Sequence, residues 1–297
     1  MIGNVARLLP RRADYAGLSH SWRRDILAGL TVGVVALPLA LAFGISSGVG
    51  AAAGLVTAVV AGVVAAVFGG SHVQVSGPTG AMAVVLAPIV AHYGLSSVAL
   101  VTVAAGFVVF VAGATGLGRA VTFIPWPVIE GFTLGIAAII FLQQVPAAVG
   151  QPTPRGQGPL VSAIQVLGAA EWETAGPALV VVAVAVVCLV GLARVHPAMP
   201  ASLLAVIAAT ALVVGLHIAT PRIGALPAQL PAPQWPHADL GAVHALGGAA
   251  LAVAALAAIE SLLSARVAAT MSPTGPYDPD RELVGQGLAS VAAGMFG

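Results

Sequence analysis

Of the 297 residues, 59% are hydrophobic and only 7% are charged, with a formal net charge of +1. A soluble domain carries roughly 25% charged residues, so the composition excludes a soluble globular protein, and the near-zero charge argues against nucleic acid as a partner. Apolar runs long enough for a hydrocarbon core of about 30 Å, which takes about 20 helical residues, recur along the chain. The sequence therefore predicts an all-α polytopic protein in a lipid bilayer.

The first 25 residues are predicted to form a cytoplasmic tail. They hold five of the eleven basic residues, all of which are arginines, and the first apolar run begins only at Ile26. The small-residue cleavage pattern typical of a signal peptide does not follow. We therefore expect the tail to be retained.

Nine membrane-crossing segments are predicted where apolar runs end at Pro, Gly or charged residues. With the N-terminus inside, nine of the eleven arginines fall on the inner side and only Arg155 and Arg222 lie outside. This asymmetry is typical of cytoplasmic loops, so we predict a multi-pass protein of the inner (plasma) membrane with a cytoplasmic N-terminus. The segments are Ile26–Ile45, Ala51–Phe68, Val73–Ala91, Ser96–Gly116, Val121–Val145, Pro177–Ala193, Ala198–Ile218, His244–Met271 and Leu283–Phe296.

The third of these segments does not resemble a continuous membrane helix. Ser76 or Gly77 is suited to be an N-cap and Pro78 to be the first helical residue. The 14 residues from Pro78 to Ala91 would cover about 21 Å, which is short of about 30 Å. Residues 72–76 alternate polar and apolar side chains, and we predict that they form a short strand that adds about 13 Å.

Such a break must be buried in protein or line a wet cavity, because lipid does not tolerate unpaired backbone groups. A helix that starts in mid-membrane presents free N–H groups and the positive end of its dipole, which favours an anion. We therefore predict a small-anion site, with a simple Gly-Pro loop between two helices as the alternative. Phe43, which follows a kink expected at Pro38, is a further candidate. The candidate anion-binding residues are Ser76, Gly77, Pro78, Thr79, Gly80 and Phe43.

One acid, Glu260, lies deep inside the eighth segment. A charged side chain at the centre of a membrane helix costs about 2.5–3.5 kcal/mol on insertion scales, so such residues usually face the protein interior. Ser264 lies four residues later, on the same helix face. An acid and a hydroxyl so placed suit either Na⁺ ligation or proton transfer. The alternatives are a neutral Glu hydrogen-bonded for helix packing and a Glu that snorkels together with Arg266. Apart from such a coupling Na⁺ or H⁺, no cofactor is predicted.

Three stretches, GLVTAVVAGVVAAVFGGSHVQVSGPTGA (54–81), AIESLLSARVAAT (258–270) and DPDRELVGQGLAS (278–290), resemble the SulP family of anion transporters. The resemblance implies a uracil-transporter-like fold of fourteen segments in two inverted repeats of seven, working by an elevator mechanism, and a homodimer. It places the anion at residues 76–80. Glu260 and Ser264 fall where Na⁺-coupled members have Asp and Thr, and the Glu departs from that pattern.

On this resemblance, residues 26–218 are the first inverted repeat, 219–243 an external loop, and 244–297 the incomplete start of the second repeat. The family continues beyond this point, so half of the anion site is expected to be absent and the fragment alone to be inactive. Sulfate, bicarbonate and dicarboxylates all fit the predicted hydrogen-bond donors. Transport is expected to be symport with H⁺ or Na⁺, or anion exchange. A nucleobase transporter of the same fold and a non-transporting membrane scaffold remain alternatives. An enzyme is not predicted, because the sequence holds no nucleophile motif, metal motif or P-loop.

Overall fold

The computed structural model describes residues 7–123, 125–152, 154, 157–195, 200–219, 226–236, 240–272 and 276–297. These residues form ten α-helices and two short 3-10 helices, Arg12–Tyr15 and Leu117–Phe123, and the described parts of the chain contain no strand. The α-helices are α1 Leu18–Ser46, α2 Ala51–Phe68, α3 Gly80–Tyr93, α4 Ser96–Ala114, α5 Trp126–Ala148, α6 Pro159–Gly168, α7 Trp172–Val195, α8 Ala201–Gly215, α9 Leu240–Met271 and α10 Pro279–Met295.

Five of the described helices are long and apolar enough to cross a membrane, so the prediction of an all-α multi-pass membrane protein is confirmed. They are Leu18–Ser46, Ala51–Phe68, Ser96–Ala114, Ala175–Val195 and His244–Met271. The helix α2 has the predicted bounds, whereas α1 begins at Leu18, inside the predicted tail, and continues through Pro38. One missing backbone hydrogen bond does not end a helix of 29 residues, and the kink predicted at Pro38 stays a prediction.

Other predictions differ from the structure or fall outside the residues that it describes. Helix α6 lies between the fifth and sixth predicted segments, where the sequence predicts an external loop. The helix begins at Pro159, and proline is favoured at the first helical position. Ala198, where the seventh segment is predicted to begin, lies outside the described residues, as do Arg155 and Arg222. The predicted repeat boundaries are untested and stay a prediction.

The chain divides into two compact units. The first contains residues 1–21, 40–132 and 225–297, and so holds α2, α3, α4, α9, α10 and the end of α1. Its core is apolar and joins α3, α4, α9 and α10 through Ile89, Val101, Val109, Val253 and Leu283. The second contains residues 22–39 and 133–224, in which α7 and α8 pack against each other.

Within the first unit, α10 packs against α4 through glycines that let the two backbones come close. A Cβ on Gly287 would lie 2.5 Å from the Phe110 nitrogen and 2.7 Å from the Gly106 oxygen. One on Gly113 would lie 2.7 Å from the Val284 nitrogen. These distances are shorter than any van der Waals contact of a side chain, so glycine is required here to hold α10 beside α4.

Residues that the arginine pattern assigns to the inner side are brought together in this unit. The Asp14 carboxylate of the tail pairs with Arg281 at 2.8 Å, and the Arg119 guanidinium pairs with Asp280 at 3.3 Å. An even number of crossings must therefore separate the tail, the α4–α5 connection and the start of α10. The prediction of four crossings from the tail to the α4–α5 connection, and of four more from there to the start of α10, agrees with these contacts.

Candidate functional site

The chain between α2 and α3 bends at residues 70, 72 and 73, and the prediction of a strand at residues 72–76 is not confirmed. Residues 74–79 are described as neither helix nor strand. A strand requires a neighbouring strand to share its ladder of hydrogen bonds, and none of the described residues forms one. The segment is instead held by side chains of α9 and α10.

The start of α3 lies two residues later than predicted. Its N-cap is Thr79, in extended conformation, and the threonine hydroxyl accepts from the Met82 N–H at 3.3 Å. Ser76 and Gly77 were predicted as caps; the Thr79 oxygen takes this role because it stands three residues before an N–H that needs an acceptor. The observed helix has the predicted length of 14 residues, or about 21 Å.

The Thr79 hydroxyl also donates to Glu260 Oε2 at 2.7 Å. Glu260 is half-buried and lies 11 residues before the end of α9 at Met271, which is about 16 Å along the helix axis. The start of α3 is therefore beside the middle of a membrane-crossing helix, as the short length of α3 requires. This hydroxyl donates to Glu260 and is therefore not a free donor for an anion in this arrangement; the predicted role of Thr79 in anion binding stays a prediction.

The remaining donors at this helix start are backbone N–H groups. The Met82 N–H bonds the Thr79 hydroxyl and the Ala83 N–H bonds the Thr79 carbonyl at 3.2 Å. Among the described hydrogen bonds, none uses the N–H of Gly80 or Ala81, the first two helical residues. A Cβ built on Gly77 would meet no atom within 4 Å, so the space beside this residue is open. Two adjacent N–H groups at a helix start are suited to an oxyanion.

A buried carboxylate, Glu282, holds the chain that leads to this helix start. It is 3% exposed, its Oε2 accepts from the Gly70 N–H at 2.9 Å, and its Oε1 accepts from the Ser261 hydroxyl at 2.8 Å. The Asp278 N–H donates to the Gly70 carbonyl at 3.0 Å. A Cβ on Gly70 would overlap the Asp278 carbonyl oxygen. Gly70 is therefore fixed on both of its backbone polar groups by the start of α10.

Two further side-chain contacts tie the segment before α3 to α9 and α10. The Gln74 side-chain amide donates to the Ser261 hydroxyl at 3.4 Å, and the Ser76 hydroxyl donates to Gln286 Oε1 at 3.2 Å. Glu282 and Gln286 stand one turn apart on the same face of α10. The Ser76 hydroxyl therefore contacts α10, and its predicted role in anion binding stays a prediction.

Sequence reasoning gave no role to Glu282, Gln286 or Gln74. A signal was present in the string DPDREL, because Asp278 caps α10 by accepting from the N–H groups of Asp280 and Arg281. The acid four residues after this cap is Glu282, in the first turn of α10. A carboxylate in that position is usually a solvated first-turn acid, and only the packing of Gly70 on it shows that it is buried.

The other predicted site residues are not joined to this cluster. Ser264 is exposed, one turn beyond Glu260 on α9, and Phe43 is half-buried in the last turn of α1. No described hydrogen bond or ion pair links either side chain to residues 76–80. Their roles, and those of Pro78 and Gly77 in anion binding, stay predictions.

The chain is similar to several known proteins over nearly all of its length. It is 38% identical over 94% of its length to YvdB of Bacillus subtilis (strain 168), and 33% identical over 93% to the bicarbonate transporter BicA of Picosynechococcus sp. (strain ATCC 27264 / PCC 7002 / PR-6). It covers 53% and 50% of these two proteins, so the chain spans about half the length of the curated relatives it matches.

Solved structures agree with this similarity. The transmembrane domain of a cyanobacterial bicarbonate transporter BicA matches with a TM-score of 0.83 and 32% identity, over 94% of this chain and 73% of that one. The murine anion transporter Slc26a9 in its inward-facing state has the same fold, with a TM-score of 0.83 at 17% identity over 100% of this chain and 54% of that one. The model of the sulfate permease family matches residues 22–297, and the chain therefore belongs to that family.

Proposed function

We propose that this chain forms part of a secondary active transporter for a small anion, such as sulfate, bicarbonate or a dicarboxylate. The observation that carries the proposal is the start of α3 beside Glu260, where the N–H groups of Gly80 and Ala81 have no described partner. The anion would bind these two groups, with the open space beside Gly77 as its approach. Family membership supports an anion over a nucleobase as the substrate.

Glu260 is the proposed coupling residue. No described basic side chain pairs with it, so its charge, when present, acts on an anion at the neighbouring helix start. Two unit charges 8 Å apart repel by about 2 kcal/mol at an effective dielectric constant of 20. Neutralisation of Glu260 by H⁺ or by Na⁺ would remove this repulsion and raise the affinity for the anion, which is the thermodynamic requirement for symport.

The protein is proposed to work in the inner membrane with its N-terminus in the cytoplasm, as a homodimer whose anion site moves by an elevator mechanism. The contacts of Asp14 with Arg281 and of Arg119 with Asp280 support one common side for the arginine-rich ends. The arginine excess supports the cytoplasm as that side. Elevator motion would carry α3, α9 and α10 together, because side chains of α9 and α10 hold the segment before α3.

Uptake of labelled sulfate and bicarbonate by the full-length protein in proteoliposomes tests this function. We expect uptake driven by a pH or Na⁺ gradient. In Glu260→Gln, which imitates the neutral acid, uptake is expected to persist without a response to the gradient. Glu130→Gln, which removes an acid from α5, is the matched control and should keep the response. Absence of inorganic or carboxylate anion uptake, or its competition by uracil, would contradict the proposal.

A further inference from the structure

A cavity of about 470 Å³ in the first unit is lined by the tail, by the residues that follow α2 and by the residues around the start of α10. It is distinct from the helix start at Gly80, and none of the proposed transport residues lines it. Its lining is rich in arginines, Arg7 and Arg11 from the tail and Arg281 from the start of α10. His72, from the segment after α2, also lines it.

The carboxylates in this lining are already engaged. Asp14 accepts from the Arg11 N–H at 2.7 Å and pairs with Arg281 at 2.8 Å. Asp278 caps α10 through the N–H groups of Asp280 and Arg281. The Arg11 guanidinium donates to the Arg7 carbonyl at 3.1 Å, and no described carboxylate pairs with Arg7 or Arg11. Among the described residues, these two guanidinium groups at the cavity therefore have no carboxylate partner.

The position of the cavity indicates which anion would meet these groups. Ala66 and Val67, in the last turn of the membrane-crossing helix α2, line it. The end of a membrane helix lies at the level of the lipid headgroups. Tyr15 also lines the cavity and is 46% exposed, while Leu9 and Leu18 of the tail are 42% and 50% exposed. Arginines interleaved with exposed apolar side chains are typical of a segment that lies in the membrane interface.

We propose that this cavity binds the phosphate group of an anionic phospholipid, with Arg7 and Arg11 as its ligands. Guanidinium groups recognise phosphate by paired hydrogen bonds. The exposed Leu9, Tyr15 and Leu18 would contact the acyl region beside the headgroup. Binding would fix the tail on the first unit, since the same tail residues line the cavity and pair with Arg281.

Native mass spectrometry of the full-length protein titrated with phosphatidylglycerol tests the proposal. We expect one saturable lipid adduct, weakened roughly 25-fold in the double variant Arg7→Gln/Arg11→Gln, from roughly fivefold per arginine near an anionic surface. The control Arg23→Gln/Arg24→Gln removes the same charge nearby; Arg23 stacks on Trp22, 5.2 Å from its ring, and neither arginine lines the cavity. This control should change the affinity less than threefold.

Two comparisons distinguish binding of an anionic lipid from binding of a zwitterionic lipid or of free phosphate. Phosphatidylcholine should not form the saturable adduct, and inorganic phosphate at millimolar concentration should not displace phosphatidylglycerol. An equal loss of affinity for phosphatidylglycerol in the two double variants would overturn the proposal, because the lipid would then respond to positive charge in general. No loss of affinity in either variant would also overturn it, because the arginines would then not bind the lipid. Displacement by inorganic phosphate would overturn the lipid assignment and make the cavity a site for small oxyanions.

Discussion

Replacement of Glu282 tests whether α10 fixes the segment that leads to the anion site. Glu282→Ala removes the acceptor of the Gly70 N–H and of the Ser261 hydroxyl, both of which are bound at less than 3 Å. Hydrogen bonds to a charged group contribute about 1.5–3 kcal/mol each. The expected loss in the free energy of unfolding is therefore at most about 3–6 kcal/mol, reduced by the relief of burying a carboxylate.

Glu282→Gln is expected to lower the free energy of unfolding by much less, about 1 kcal/mol. The glutamine oxygen can accept from Gly70, and its amide can donate to Ser261. The Ser261 hydroxyl can then donate to Gln74 Oε1, which is buried without a described hydrogen-bond partner, after the Gln74 amide turns over. The charge is thereby removed while the hydrogen bonds are kept.

A double-mutant cycle with Ser261→Ala isolates the contact itself. We expect a coupling energy of about 1.5–3 kcal/mol between positions 261 and 282, measured by SDS titration of the full-length protein in mixed micelles. Ser290→Ala is the control, because the described hydrogen bond of the Ser290 hydroxyl goes to the Gln286 carbonyl of its own helix. A coupling energy below about 0.5 kcal/mol, or equal losses in Glu282→Ala and Glu282→Gln, would refute the reasoning.

Three further predictions concern the helix start, the glycine contacts and the tail. Thr79→Val removes a helix cap, worth about 1 kcal/mol, so the N–H groups of Gly80 and Ala81 are held less firmly and the KM for the anion should rise in proteoliposome uptake. Thr79→Ser, which keeps the cap, should restore the KM, and failure to do so would contradict this role. Gly287→Ala should lower the free energy of unfolding by about 1–3 kcal/mol because its Cβ overlaps α4, whereas Gly247→Ala, with open space around its Cβ, should be neutral or stabilising; equal effects in an unfolding titration would be the contrary result. The Arg11 N–H, and with it Arg281, lowers the pKa of Asp14 below its ordinary value, so docking of the tail should be intact above about pH 4 and lost as the pH falls through the lowered pKa. Asp14→Asn should accordingly raise tryptic cleavage after Arg11 and Arg12 at neutral pH, and unchanged cleavage would count against the contact.

The membrane helices could be predicted because each apolar run must bury its own backbone groups within about 20 residues. The bounds of α2 followed from an apolar run between two glycines, and the 14-residue length of α3 followed from the break before it. The depth of Glu260 followed from its place in a long apolar run. These features depend on the local sequence alone.

The contacts that build the site could not be predicted in the same way. Thr79 was recognisable as a hydroxyl near a helix start, but its bond to Glu260 joins residues 181 positions apart. The bond of Gly70 to Glu282 spans 212 positions, and it depends on how closely two backbones approach. The predicted strand also failed for this reason, since a ladder partner is a property of the fold and not of alternating residues.

A structure of the full-length protein with its transported anion bound tests the central claim most directly. The account predicts density for the anion within about 3 Å of the Gly80 and Ala81 nitrogens, the distance of a hydrogen bond, with Glu260 close by. Selenate in place of sulfate would mark the position by anomalous scattering if sulfate is the substrate. An anion whose ligands do not include the start of α3 would contradict the account.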